Sequence, residues 1–310
     1  MSQTQSKSLT SDPTSTWQWF TLALLAQTGW GANIVLLRYL QTIGGVPSFS
    51  LLAFGNLIVL LIVALIFLPR IDKSVFRMRI VWIFGGMVVL RGITNLLATR
   101  FTLATYIQVI YLMTPFLVAL LSKLVLRESL PKHTFKALSI ALIGALLIMS
   151  GSLTDTAVSS SVSRNDLLGI GFALASTFFL ALYMLIARRT AKHNAPGEAL
   201  LIVHLVSLFA FSALMSFLFQ ENLGKWGNLN QSEWIIFVIY SLGVLMGANL
   251  GQIRSIQKLG APLVSSMMPI RLVSALLFAG LLLGERLSSG WQVLGTAVVI
   301  ITITWYLRQQ

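Results

Sequence analysis

The chain has 310 residues, of which 56% are hydrophobic and only 10% charged, with a net charge of +13 and no cysteine. Such a composition excludes a soluble domain with an ordinary polar surface, and the missing thiols exclude disulfides, thiolate catalysis and thiolate metal sites. The basicity invites a nucleic-acid reading, but that would need a contiguous basic face with interleaved aromatics, and the basic residues here are scattered among the joins between apolar runs.

In chain order, residues 1–16 (MSQTQSKSLTSDPTST) are polar and rich in Ser and Thr, which predicts a disordered cytoplasmic tail. They lack the short basic region of a cleaved signal peptide, so the apolar run behind them is expected to be a retained helix. A hydrocarbon core about 30 Å thick needs roughly 20 apolar residues per helical crossing. Ten such runs occur, at 17–38, 47–68, 80–100, 102–126, 134–150, 166–188, 199–219, 233–253, 259–283 and 289–307. No segment shows the strict two-residue alternation of a membrane β-barrel. The expected fold class is all-α integral membrane, with ten transmembrane helices.

The chain also repeats itself. Asn95, Leu96, Arg100 and Pro115 recur 154 positions later as Asn249, Leu250, Arg254 and Pro269. Arg38, closing the first run, has a counterpart in Arg188, closing the sixth. With five helices per copy, the second copy enters the bilayer with the opposite polarity. The expected architecture is two inverted five-helix repeats, 17–150 and 166–310, joined by a linker at 151–165. Secondary transporters use this arrangement, with the substrate site between the halves.

Charge sets the orientation. With the N-terminus inside, 15 basic residues fall in cytoplasmic tails and joins, and only Arg38, Arg100, Arg164, Lys225 and Arg286 fall outside. The positive-inside rule therefore predicts cytoplasmic N- and C-termini and a multi-pass protein of the plasma or inner membrane.

Each half also ends in a recurring pattern. The first runs Tyr106-Ile-Gln-Val-Ile-Tyr-Leu-Met-Thr-Pro115, an apolar helix, Arg127-Glu128-Ser-Leu, then a helix with Gly144. The second runs Leu263-Val-Ser-Ser-Met-Met-Pro269, an apolar helix, Leu283-Gly284-Glu285-Arg286-Leu287, then Gln292 and Gly295. These patterns resemble the EamA domain of the drug/metabolite transporter superfamily, over essentially the whole chain after the polar tail. The resemblance implies ten helices, alternating access and export of small metabolites. The copies differ in one respect: Pro115 precedes Glu128 by 13 residues, whereas Pro269 precedes Glu285 by 16. Pro115 and Pro269 are read as hinges, since a proline within a helix frees the carbonyl four residues earlier, here those of Tyr111 and Ser265. Glu128 and Glu285, at helix ends beside Arg, are read as structural.

Polar groups inside the membrane are the strongest functional clues, because each is costly unless it faces protein or water. All nine carboxylates fall in tails, joins or helix ends, while Arg91 and Arg271 lie at mid-span. Two readings stand for these arginines: they satisfy backbone carbonyls and polar neighbours, or they grip a substrate carboxylate or phosphate in fork geometry. Neither has a repeat mate, since the positions 154 residues away are Leu245 and Leu117. The other candidate substrate-binding residues are Gln27, Trp30, Asn95, Tyr111, Thr177 and Asn249. Ile34, Tyr106 and Gln108 are further possible cavity residues. His204 is the possible proton site, as the only histidine within a span, although packing is the commoner role for such a residue. For Asn95 and Asn249, interhelical hydrogen bonding rivals substrate contact.

Together these residues predict a secondary transporter of a small polar or amphipathic, amino-acid-like metabolite, exporting it by alternating access. The alternatives are an exchanger of organic or phosphorylated anions using Arg91 and Arg271, and an integral-membrane enzyme. The enzyme reading finds no His-Glu-x-x-His motif, Gly-x-Ser-x-Gly elbow or mid-span Asp pair. No cofactor, metal or nucleic-acid partner is expected. The expected partners are the small-molecule substrate and the lipid bilayer, with monomer and homodimer both open.

Overall fold

The computed structural model describes residues 13–101, 110–127, 130–155, 166–283 and 290–309. The described residues form helices, turns and short connections, with no strand among them. We number the helices α1 (Pro13–Thr42), α2 (Ser48–Phe67), α3 (Arg79–Phe101), α4 (Thr114–Leu121), α5 (Thr134–Asp155), α6 (Asp166–Ala191), α7 (Gly197–Leu218), α8 (Gln231–Leu259), α9 (Ala261–Ser266), α10 (Ile270–Leu283) and α11 (Gly290–Arg308).

Five stretches are long and apolar enough to cross a membrane: Trp17–Gln41, Ser48–Arg70, Leu168–Ala191, Gly197–Leu218 and Gln231–Leu259. Thr114–Leu126, Thr134–Gly144, Ile270–Leu282 and Val293–Tyr306 are shorter apolar helices. At 23 residues, α3 has the length to span, but Arg79, Arg91, Asn95 and Arg100 lower its apolar character. Large aliphatic and aromatic side chains stand outward, among them Leu65 at 81% exposure and Phe217 and Leu281 at 80%. In water that surface would drive aggregation; in lipid it is the solvated surface. Trp17, Trp82, Trp234 and Trp291 stand exposed near helix ends, where indoles anchor at the headgroup level. This is an integral, multi-pass membrane protein.

The helices interleave rather than forming two separate bundles. α3 packs on α6 and α7, α2 on α7 and α8, α1 on α8 and α10, α4 on α6 and α9, and α5 on α11. Close approach in the last pair depends on Gly144, where a Cβ would stand 3.0 Å from the Gly295 carbonyl oxygen and 2.9 Å from Val299.

Both prolines interrupt their helices more severely than a kink. Leu112 and Met113 form a turn, and α4 begins at Thr114 with Pro115 in its first turn. Residues 102–109, including Tyr106 and Gln108, lie outside the described residues, as do Glu128, Glu285 and Gly284. In the second half Met267–Pro269 separate α9 from α10, so the expected single helix over 259–283 is two. The Ser265 carbonyl does not stay free: the Met268 N–H donates to it at 3.0 Å. A tight turn has absorbed the bond that proline removed. The α8 helix has its own irregularity, a π-helical stretch over Ile239–Ala248 that rotates the following residues Asn249–Leu259 relative to a regular helix.

Polar fastenings lie at both ends. Glu221, after α7, accepts the N–H groups of Phe49 (3.0 Å) and Ser50 (2.6 Å), and Ser216 Oγ donates to it at 3.0 Å. Pro47 caps α2 without a side-chain bond, so Glu221 satisfies orphan donors and meets the positive end of the helix dipole. Glu221→Ala should therefore lower stability by about 1–2 kcal/mol, read as a fall in thermal midpoint in detergent. At the other end Arg254 pairs with Glu198, Arg188 donates to the Gln257 carbonyl, and Gln257 Nε2 donates to the Ala195 carbonyl at 3.0 Å. These bonds tie α6, α7 and α8 together. In the join after α2, Asp72 receives bonds from the Ser74 hydroxyl and N–H, which hold its carboxyl below the usual range.

Candidate functional site

Helix α1 brings Gln27 and Trp30 against α10 because of one glycine. A Cβ on Gly31 would sit 2.5 Å from the Arg271 carbonyl oxygen and 1.8 Å from Ser274 Oγ. Only hydrogen fits there, so the two backbones touch. One turn before Gly31, fully buried Gln27 accepts a hydrogen bond from Arg271 Nε at 2.6 Å. Arg271 also donates to Gln252 Oε1 on α8, at 2.9 Å. A single guanidinium thus joins α1, α8 and α10.

Trp30 is the centre of the arrangement. The Arg271 guanidinium carbon lies 5.6 Å from its ring centroid, and that of Arg91 on α3 lies 5.3 Å from the same ring. Arg91 also stands over the Tyr183 ring of α6, at 5.8 Å. Two cations therefore share one indole, where a desolvated cation–π contact contributes up to about 2 kcal/mol. Among the described residues, neither arginine meets a carboxylate. Arg91 makes only ring contacts through its guanidinium, whereas both bonds of Arg271 go to glutamine oxygens. Arg91, Arg271 and Trp30 are all half-buried.

Around this core the other candidates separate. Tyr111 donates to Asn95 Oδ1 at 2.5 Å, and its hydroxyl also meets Ser176 Oγ at 2.9 Å. Ser176 reaches the Arg91 carbonyl at 3.4 Å, which places this polar group beside α3. Thr177 does not join it: its hydroxyl donates to the Ala173 carbonyl of its own helix at 2.8 Å. Asn249 Nδ2 and His204 Nε2 form a buried pair at 3.0 Å between α8 and α7. The His204 ring lies edge-on to Tyr183, with centroids 6.0 Å apart, so the pair sits one aromatic ring away from Arg91. The repeat mates Asn95 and Asn249 thus both bond between segments, to different partners. Pro115 and Pro269 flank neighbouring segments, since α4 packs on α9. The Ile34 side chain lies outside the described residues.

Three residues of the cluster escape the sequence reading. Gln252 lies one turn after Asn249, a spacing that signals a shared face. Ser176 adjoins Thr177, and only the phase of α6 distinguishes them. Tyr183 has no local signal, since an isolated tyrosine in an apolar helix reads as packing.

The cluster is a cationic, aromatic and amide-lined site at mid-span. Its chemistry suits reversible binding of an anion, because the groups facing one another are guanidinium, indole, phenol and amide.

Residues 167–308 match the model of the EamA-like transporter family. "Uncharacterized transporter YyaM" of Bacillus subtilis (strain 168) is 26% identical over 206 residues, covering 64% of this chain and 66% of that protein. "Uncharacterized transporter YetK" of the same organism is 28% identical over 221 residues, covering 70% of this chain and 64% of that protein. The matched stretch thus spans just under two thirds of these relatives' length. One solved crystal structure superimposes with a TM-score of 0.73 over 94% of this chain and 96% of its own, at 20% identity, a likeness of fold. Over residues 167–308 the chain is thus similar to the EamA-like transporter family, and both relatives are transporters by name.

Proposed function

We propose that the protein is a secondary transporter that moves a small metabolite carrying a carboxylate or phosphate, exporting it by alternating access between two inverted five-helix halves. The observation that carries this reading is the pair of mid-span arginines on Trp30, neither meeting a carboxylate among the described residues. An arginine at the centre of a membrane helix, as Arg91 is in α3, costs roughly 2.5–3.5 kcal/mol on insertion scales. With Arg271 at the start of α10 on the same ring, the two form a site whose missing component is negative charge.

The pattern of helix packing supports the inverted-repeat part of the reading. Let α1, α2, α3, α4 and α5 correspond to α6, α7, α8, α9–α10 and α11. The α1–α8 contact then maps onto α6–α3, α1–α10 onto α6–α4, and α2–α8 onto α7–α3, while α2–α7, α4–α9 and α5–α11 map onto themselves. A two-fold axis in the membrane plane would generate this set. Rocking one half against the other would use the turns at Leu112–Met113 and Met267–Pro269 as hinges, and would alter the distance between Arg91 and Arg271, which lie on opposite halves.

Transport itself is tested by counterflow in proteoliposomes against amino acids, organic acids, sugar phosphates and nucleosides. Saturable flux of an anionic solute is expected, and flux that never saturates would indicate a channel. Topology has its own test. Reporters fused after Gln310 or within 70–79 should read as cytoplasmic, and one within 220–232 as external. An external C-terminus would overturn the inverted halves.

The exchanger reading draws on the same two arginines. It is favoured if flux requires an anion on the opposite side of the vesicle.

A further inference from the structure

The residues that touch the two arginines offer far more hydrogen-bond donors than acceptors. Gln27 and Gln252 both turn their side-chain oxygens to Arg271, which leaves each amide nitrogen buried and without a partner. The N–H of the Trp30 indole, whose ring lies against both guanidiniums, is also buried and unpartnered. So is the hydroxyl of Tyr183, beneath Arg91. Four unpartnered polar groups therefore belong to the immediate neighbours of two cations.

The acceptors nearby are already in use. The oxygens of Gln27 and Gln252 serve Arg271, and Asn95 Oδ1 serves Tyr111. Ser176 Oγ donates to the Arg91 carbonyl and lies 2.9 Å from the Tyr111 hydroxyl, in the Tyr111–Asn95 group. Asn249 Oδ1 is free, but it belongs to the His204 pair and not to the ring of residues around the arginines. A substrate ammonium brings three donors and one positive charge. In this site it would find no carboxylate among the described residues, few free acceptors and two guanidiniums of like charge. A buried donor that finds no acceptor loses its full solvation.

We infer that the substrate is a small organic anion that lacks an ammonium group, an acceptor-rich acid of the 2-oxo or 2-hydroxy type, and not an amino acid. This rests on the transport reading above and narrows it. The carboxylate lies between Arg91 and Arg271, the 2-oxo or 2-hydroxy oxygen takes bonds from Trp30 Nε1, the Tyr183 hydroxyl or the free glutamine amides, and the carbon chain lies against the Trp30 ring.

The test is a set of matched pairs: lactate and pyruvate against alanine, 2-oxoisocaproate against leucine, and succinate against aspartate. Glycerol 3-phosphate serves as a phosphate arm. Binding is measured by calorimetry on the purified full-length protein and flux by counterflow. Within at least one pair, the acid should bind at least about tenfold tighter than its amino-acid partner. Tyr183→Phe, which deletes one hydroxyl without changing charge, should weaken the acid more than its amino-acid partner. Equal binding within every pair, or tighter binding of the amino acids, overturns the inference while leaving transport intact. Binding of glycerol 3-phosphate alone overturns the carboxylate assignment. If none of the acids binds, the inference also fails, and flux of any neutral solute in the same vesicles would show that transport survives without it.

Discussion

Arg91→Gln should abolish flux of the acidic substrate while leaving the thermal midpoint close to that of the unsubstituted protein. Among the described residues the Arg91 guanidinium touches only the rings of Trp30 and Tyr183. Those contacts contribute about 0.5–2 kcal/mol, and removing a cation from mid-membrane returns a similar amount. The two effects nearly cancel in stability but not in anion binding. Arg271→Gln should behave differently. It deletes hydrogen bonds to Gln27 and Gln252, each worth about 1.5–3 kcal/mol where a charged group is involved. It also removes the polar tie that joins α1, α8 and α10. Both flux and midpoint should fall, for neutral and acidic solutes alike. Measuring thermal stability together with flux of one acid and one neutral analogue separates the two outcomes. Unchanged flux of an acidic solute in both variants would sink the anion site.

This contrast gives the two arginines different work. The Arg271 side chain is already held by two amides, and its charge is presented at a fixed place. Arg91 is held by rings alone, which constrain direction weakly and let the guanidinium follow a ligand. In the proposed mechanism they lie on opposite halves, so an anion between them would be gripped by both at once. Rocking then requires one grip to loosen, and the more weakly held Arg91 is the one able to do so.

The five long apolar helices were legible because a run of about 20 apolar residues leaves few alternatives in a membrane. Even so, α1 extends four residues beyond its expected end at 38, since Tyr39–Thr42 continue the helix without a proline or glycine to stop them. Irregular segments were legible only in location. Pro269 signals one missing hydrogen bond, but the choice between a kink and a separate turn depends on whether Met267 and Met268 can bond three residues back, which they do. The π-helical stretch in α8 has no sequence marker at all. Within the site, Gln27, Trp30, Arg91 and Arg271 stood out as polar groups in apolar helices. The choice between Ser176 and Thr177 could not be made that way, because adjacent helical residues differ by about 100° in direction. Only packing of α6 on α3 and α4 decides that Ser176 meets Tyr111. Tyr183 was hidden for a related reason: its importance lies in a neighbour on another helix.

Gly31→Ala should be among the most damaging single-methyl additions in the protein. Alanine is the better helix former by about 1 kcal/mol, so on propensity alone the change would stabilise α1. The new methyl, however, would stand 2.5 Å from the backbone oxygen of Arg271. Ser274 Oγ, at 1.8 Å, could rotate away, though it would lose its bonds to the Ile270 and Arg271 carbonyls. The backbone oxygen has no such freedom, so α1 and α10 must move apart. Overpacking of this kind costs about 1–3 kcal/mol. Flux should fall further than stability, because the same separation lengthens the 2.6 Å bond between Gln27 and Arg271 and withdraws Trp30 from the Arg271 guanidinium. Gly86→Ala is the control, since a Cβ there meets nothing within 4 Å. It should leave flux unchanged and the thermal midpoint equal or slightly raised. A Gly31→Ala protein with wild-type midpoint and flux would show that the α1–α10 contact is looser than its geometry implies, and that the position of Trp30 does not depend on it.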